Sequence, residues 1–229
     1  MARKKQKGTA PVALVTVADI NSTAVEQYRT IRSNISFSSI DKDIKTVVIT
    51  SSGPSEGKST TAANLAVVFA NSGKKVLLVD ADLRKPTVAL TFKVPNADGL
   101  STLLGSRYTT TASCLQESGI ENLTILPSGP KPPNPSEMLG SNRMVELMHE
   151  LEREFDLILF DMPPVATVTD AQILAARTDG TILVVRERQT KKQAVLRAKS
   201  LLDIAQANII GVIYNGANKT DDSNYYYYG

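Results

Sequence analysis

The chain of 229 residues contains one cysteine, one histidine and no tryptophan. With Cys114 alone, an internal disulfide framework is excluded. Cys114 reads as a small packing residue in a short helical stretch rather than a nucleophile. With His149 alone, neither a Cys/His zinc site nor a Ser-His-Asp triad can be assembled. No uninterrupted apolar run approaches the ~18 residues of a membrane span. The basic start, Arg3-Lys4-Lys5-Gln6-Lys7, has no apolar segment behind it, so it is not a secretory signal. These absences point to a soluble intracellular protein. Strong charge of one sign is also lacking: Arg3, Lys4, Lys5 and Lys7 turn a remainder of −1 into the overall +3. A basic domain built to hold nucleic acid is therefore not expected.

The apolar fraction of 42% is enough for a buried core. Residues 1–20 read as a basic, flexible arm, and 218–229 as a polar tail without apolar period. Between them, short β-branched runs alternate with helical stretches. The strand candidates are Lys45–Thr50, Lys75–Val79, Leu123–Leu126, Leu157–Phe160, Thr181–Val185 and Ile209–Ile213. Tyr214, closing the last of them, reads as core. Helical patterns cover Ser22–Phe37, Lys58–Asn71, about Ser136–Phe155, Asp170–Arg177 and about Lys191–Ala205. Near-continuous apolar strands alternating with helices predict a single α/β domain over 21–217, a doubly wound and mostly parallel sheet flanked by helices.

The strongest chemical signal is Ser51-Ser52-Gly53-Pro54-Ser55-Glu56-Gly57-Lys58-Ser59-Thr60, which follows a strand and opens a helix. A nucleoside triphosphate needs backbone N–H groups curled around its phosphates, a helix N-terminus aimed at them, and a cation. Gly57 permits close backbone approach, Lys58 reaches the β- and γ-phosphates, and the Ser59 hydroxyl can ligate Mg²⁺. The strict pattern wants glycine at position 52, where this chain has serine. Gly53, Glu56, Gly57, Lys58, Ser59 and Thr60 are the expected nucleotide contacts. Two apolar strands then end in acids: Val76–Val79 runs into Asp80-Ala81-Asp82, and Leu157–Phe160 into Asp161. Ligands of parallel sheets bind at the carboxyl ends of strands, so the three carboxylates can converge on the phosphate loop. Asp80 and Asp82 would share one side if strand geometry persisted through both.

Asp80-Ala-Asp-Leu-Arg-Lys-Pro86 resembles the second Walker-type motif of the bacterial tyrosine kinases, P-loop proteins related to the MinD/ParA ATPases. The likeness spans nearly the whole chain. It takes in Ser52–Thr60, Asp161-Met-Pro-Pro164 with Asp170, Pro127–Glu137, and the cluster Tyr225, Tyr226, Tyr227 and Tyr228. The early P-loop lysine usual in the MinD/ParA branch is missing from Gly53–Glu56, which favours the kinase branch. The resemblance implies ATP and Mg²⁺ as cofactors and Asp80 as the group that activates a tyrosine hydroxyl. It also implies Asp82 and Asp161 as metal-holding residues with Ser59, Lys58 as the cation on the transferring phosphoryl group, and Thr60 near the α-phosphate. Arg84 reads equally as a phosphate or tail contact and as a plain surface residue.

By the same resemblance, Tyr225–Tyr228 are phosphate acceptors on a flexible tether, modified in trans. The pattern Glu26-x-x-Arg29-x-x-Arg32-x-Asn34 is similar to the segment through which such kinases assemble into rings, octameric in the best-known cases. Without the resemblance, the same residues read as a solvated helix face with an ordinary Glu26–Arg29 pair. Further implications are control of capsular or exopolysaccharide synthesis and export, protein tyrosine substrates and a cognate phosphotyrosine phosphatase. A separate membrane activator of the polysaccharide co-polymerase type would bring this cytoplasmic chain to the inner face of the membrane. The alternatives are a MinD/ParA-like ATPase switch with water as phosphoryl acceptor, and a non-catalytic nucleotide-gated scaffold.

Overall fold

The computed structural model describes residues 10–19, 21–37 and 44–217. Seven strands, β1 (Thr46–Ser51), β2 (Val76–Asp80), β3 (Gln116–Glu117), β4 (Leu123–Leu126), β5 (Leu157–Asp161), β6 (Gly180–Arg186) and β7 (Ile209–Asn215), form one sheet. Their spatial order is β3-β4-β2-β5-β1-β6-β7. All neighbouring pairs are parallel except the two-residue β3, which runs antiparallel to β4 at one edge. The expected fold class is what the structure adopts.

Alternation along the strands divides the core into two clusters, one on each face. Val48, Leu77, Val79, Ile158 and Phe160 belong to one cluster. Val47, Ile49, Leu78, Ile125 and Leu159 belong to the other. Because both faces are covered, the strands need apolar residues at every position, and that gives the uninterrupted runs of the sequence.

The helices are α1 (Val15–Ala18), α2 (Thr23–Phe37), α3 (Lys58–Ala70), α4 (Val88–Phe92), α5 (Leu100–Gly105), α6 (Thr111–Cys114), α7 (Pro135–Gly140), α8 (Asn142–Leu151), α9 (Asp170–Ala175) and α10 (Lys192–Ile204). Every residue of α3 from Thr61 to Ala70 is buried. The helix lies between the sheet and an outer layer formed by α1 and α2.

Several sequence expectations need correction. The irregular arm does not extend to residue 20, because Thr16 is buried and its backbone N–H and hydroxyl both donate to Asn64 Oδ1 on α3, at 3.0 and 2.8 Å. Residues 1–9 and the tail 218–229, with Tyr225–Tyr228, lie outside the described residues. The single helix expected over about Ser136–Phe155 is two, α7 and α8. Ser141 breaks it by taking an extended conformation, and its hydroxyl then caps α8 by accepting from Met144 N at 3.2 Å. Tyr214 is 60% exposed rather than core, because β7 is the terminal strand of the sheet.

Candidate active site

The carboxyl edge of the sheet brings the site together. β2 and β5 are adjacent and in register, so Asp80 stands opposite Asp161 at their ends. β1 lies on the other side of β5 and leads into the phosphate loop, whose last residue, Gly57, precedes α3. Gly57 has φ +98°, and a Cβ there would lie 1.9 Å from the Asn215 side-chain nitrogen. Both the conformation and the space require glycine.

Lys58 Nζ sits between two acids, 3.0 Å from Asp82 Oδ2 and 3.2 Å from Asp161 Oδ1, and donates to Ser59 Oγ at 3.0 Å. Asp82 arrives by a different route from the expected strand alternation. β2 ends at Asp80, and Asp82 lies in the following turn, where its Oδ1 accepts from Lys85 N at 3.0 Å. The convergence stands although the strand does not continue.

Asp80 and Asp161 are fully buried. Asp80 Oδ2 accepts the backbone N–H groups of Thr87 and Val88 at 3.0 and 2.9 Å. Asp80 Oδ1 and Asp161 Oδ2 have no hydrogen-bond partner among the described residues. Burial, reinforced by the charge of Asp161, pushes the Asp80 carboxyl up to about 8. Burial also raises Asp161, against the pull of Lys58. For Lys58, desolvation acts downward, but the charges of Asp161 and Asp82 outweigh it and hold the ammonium above its ordinary value.

No group of three or more His, Cys, Asp or Glu is arranged to hold a metal among the described residues. The available donors are hard oxygens, Ser59 Oγ and the carboxylates of Asp82 and Asp161. They suit a magnesium ion that takes one or two carboxylates from the protein and its other ligands from phosphate and water. The two unpartnered carboxylate oxygens agree with a site that needs a further cation.

The Glu56 carboxylate turns inward. It is 4% exposed and accepts from Ser52 Oγ, Gly53 N and Thr190 Oγ1. The Gly53 N–H is occupied by that bond. Thr60 lines a cavity of about 580 Å³ between α2, the start of α3 and the end of β7, together with Tyr28, Tyr214, Asn215 and Gly216. The only sequence sign of the Glu56 arrangement was the serine standing where the pattern wants glycine. Nothing singled out Thr190 or Asn215.

Arg84 is a structural partner rather than a free surface residue. Its guanidinium donates to both oxygens of the buried Asp170 at 2.8 and 2.9 Å, and to Ser136 Oγ at 3.1 Å. Burial would raise Asp170, but these bonds and that from Ser136 prevail and hold its carboxyl below the usual range. The interaction ties the turn after β2 to the starts of α7 and α9. On α2, Glu26 pairs with the Arg29 guanidinium, Arg32 Nη1 donates to Val68 O at 3.5 Å, and Asn34 is exposed.

A family model described as an AAA domain matches residues 44–206. The chain is 46% identical over 233 residues to tyrosine-protein kinase YwqD of Bacillus subtilis, covering 100% of this chain and 97% of that relative. The chain belongs to the bacterial tyrosine kinases. Among solved structures, the kinase domain of Escherichia coli tyrosine kinase ETK superposes with a TM-score of 0.87 at 32% identity, covering 100% of this chain and 89% of that one. The chimerical protein CapA2B2 gives 0.84 at 39% identity, covering 90% and 92%. In this kinase, no helix among the described residues is long and apolar enough to cross a membrane.

Proposed function

We propose that this kinase transfers the γ-phosphoryl group of ATP to tyrosines of its own C-terminal cluster, Tyr225–Tyr228, in trans between copies. The observation that carries the reading is Asp80: a fully buried carboxyl group, one oxygen pinned by two backbone N–H groups and the other unpartnered among the described residues, within the electrostatic reach of the phosphate-loop lysine. A phenol of pKa near 10 is protonated at neutral pH, so a fixed base at the point of attack lowers the barrier. With Asp80 in its ionised form, the tyrosine O–H proton passes to Asp80 Oδ1, the phenolic oxygen bonds to the γ-phosphorus, and the bond to the β-phosphate oxygen breaks to release ADP.

Lys58 neutralises charge on the transferring group. The Gly57–Thr60 backbone, at the N-terminus of α3, receives the phosphates. Magnesium would be held by Ser59, Asp82 and Asp161 and would supply charge neutralisation on the phosphate oxygens. In such transfer the protein's contribution is mainly position and electrostatics.

Assembly is assigned to α2, through Glu26, Arg29, Arg32 and Asn34, in a ring that offers each tail to a neighbouring site. An octamer is the specific expectation. The wider reading is control of capsular or exopolysaccharide synthesis. It includes a separate membrane activator that recruits the cytoplasmic chain, other tyrosine substrates, and a phosphatase that resets the tail.

The test is incubation with Mg²⁺ and ATP, with and without a co-expressed membrane activator, followed by mass spectrometry of the C-terminal peptide. Phosphate on Tyr225–Tyr228 that is absent in Asp80→Asn supports the reading. ATP consumption with an unmodified tail, activator present, would replace it with an ATPase switch.

A further inference from the structure

The phosphate loop departs from its pattern at Ser52, and the structure contains a matching compensation. Glycine at that position would leave the base of the loop without a side chain. Here the Ser52 hydroxyl lies 2.8 and 2.9 Å from the two oxygens of Glu56, four residues later, and Gly53 N donates to the same carboxylate at 3.0 Å. The Glu56 side chain thus closes the loop on itself.

A fourth contact comes from outside. Thr190 Oγ1, in the connection between β6 and α10, donates to Glu56 Oε1 at 2.7 Å. Thr190 is itself held, because its hydroxyl accepts from Arg186 N at 2.8 Å. The same connection reaches the outer rim of the loop. Gln189 Nε2 donates to Pro54 O at 3.3 Å, and Arg186 Nη1 to Ser55 O at 3.5 Å. From β7, Asn215 Nδ2 donates to Glu56 O at 3.1 Å.

We propose that Ser52, Glu56 and Thr190 form a latch that fixes the phosphate loop in its nucleotide-receiving shape, with Thr190 a positioning residue for ATP. The inference rests on the kinase reading only for the identity of the nucleotide. Its physical basis is that a buried carboxylate keeps its place only while its donors are present. Without Thr190, the Glu56 carboxylate loses the one donor from outside the loop that it has among the described residues. Residues 53–57, whose backbone must converge on phosphate, then keep only the rim contacts of Gln189, Arg186 and Asn215 to backbone carbonyls. Binding of triphosphate must pay for the ordering that the latch now supplies in advance. The transfer step itself runs on Lys58, Asp80, Asp82 and Asp161, none of which touches Thr190, so chemistry at saturating ATP is largely untouched.

The experiment compares the full chain with Thr190→Val and Thr190→Ser. Affinity for Mg²⁺-ATP is read by calorimetry, and kcat and KM for ATP with a tyrosine peptide as acceptor. Loss of one hydrogen bond to a charged group predicts an increase of about 10- to 150-fold in both Kd and KM for Thr190→Val, with kcat within about twofold. Thr190→Ser, which keeps the hydroxyl, is expected to restore tight binding. An unchanged Kd in Thr190→Val, a fall in kcat at constant Kd, or a serine variant as impaired as the valine would each overturn the latch. If the unaltered chain binds Mg²⁺-ATP but modifies no tyrosine, the kinase reading fails while the binding comparison still decides the latch.

Discussion

Replacing Asp80 by asparagine should make this protein more stable while removing its activity. Burial and the neighbouring Asp161 charge push the carboxyl up to about 8 in the folded chain, from an ordinary value of 3.8. Below about pH 4 it is protonated in both folded and unfolded states and imposes no penalty. Between about 4 and 8 the unfolded state gives up the proton while the folded state retains it. Folded stability therefore falls as pH rises through this window, by up to ~1.4 kcal/mol per unit. By pH 7 the ceiling is about 4 kcal/mol, and sharing of charge among Asp80, Asp161 and Lys58 brings the expected figure to roughly 2 kcal/mol.

Asparagine removes the titration but keeps an oxygen for the Thr87 and Val88 N–H groups. For a domain of this size, ~2 kcal/mol corresponds to a rise in Tm of about 4–8 °C. The assay is thermal unfolding of both proteins in a metal chelator, without nucleotide, from pH 5 to 8.5. The gap between the two curves should be small at pH 5, widen with pH and level off above about 8. A gap independent of pH, or a variant less stable at neutral pH, would refute the reasoning.

Gly57→Ala meets both a left-handed φ and the Asn215 side chain, so Mg²⁺-ATP should no longer raise Tm in that variant while the wild type is stabilised in the same scan. Arg84→Ala strands the buried Asp170 without its cation and should lower stability by about 2–3 kcal/mol, read from the urea midpoint at constant m-value. Ser136→Ala, which removes a weaker partner, should cost less in the same titration. Phosphates on the tail would repel one another within a ring, so a chain with phenylalanine at 225–228 should stay assembled in Mg²⁺-ATP by light scattering while the wild type dissociates.

The elements easiest to read in the sequence were those whose environment is uniform along their length. β1, β2, β5 and β6 are buried on both faces, so every position asks for an apolar residue, and their acidic ends mark the edge where ligands bind. α4 and α5, of five and six residues, are too short to show a helical period, and β3 has two residues. Position rather than propensity decides Tyr214: β-branched neighbours make the strand, but only the strand order reveals that it lies at the rim. The site was legible to the extent that its residues belong to contiguous motifs. Lys58 with Asp161 and Asp82 follows from strand ends and one glycine-rich turn. Thr190 and Asn215 reach the same loop across more than 130 residues of chain, through side chains with no local pattern. Glu56 shows the limit of motif reasoning, since the motif names the residue but not the inward bonds of its side chain.

The rim strand β7 has a colloidal consequence. Ile209-Ile210-Gly211-Val212-Ile213-Tyr214 is uncharged and rich in β-branched residues, and no strand among the described residues covers its outer side. Val212 and Tyr214 are more than half exposed there. An open edge of this composition templates pairing with other chains, and it has neither lysine nor proline to discourage it. When concentrated as a single chain, the protein is therefore prone to self-association along this edge, independently of α2. A charge at Val212 is the natural place to improve its solubility without entering the core.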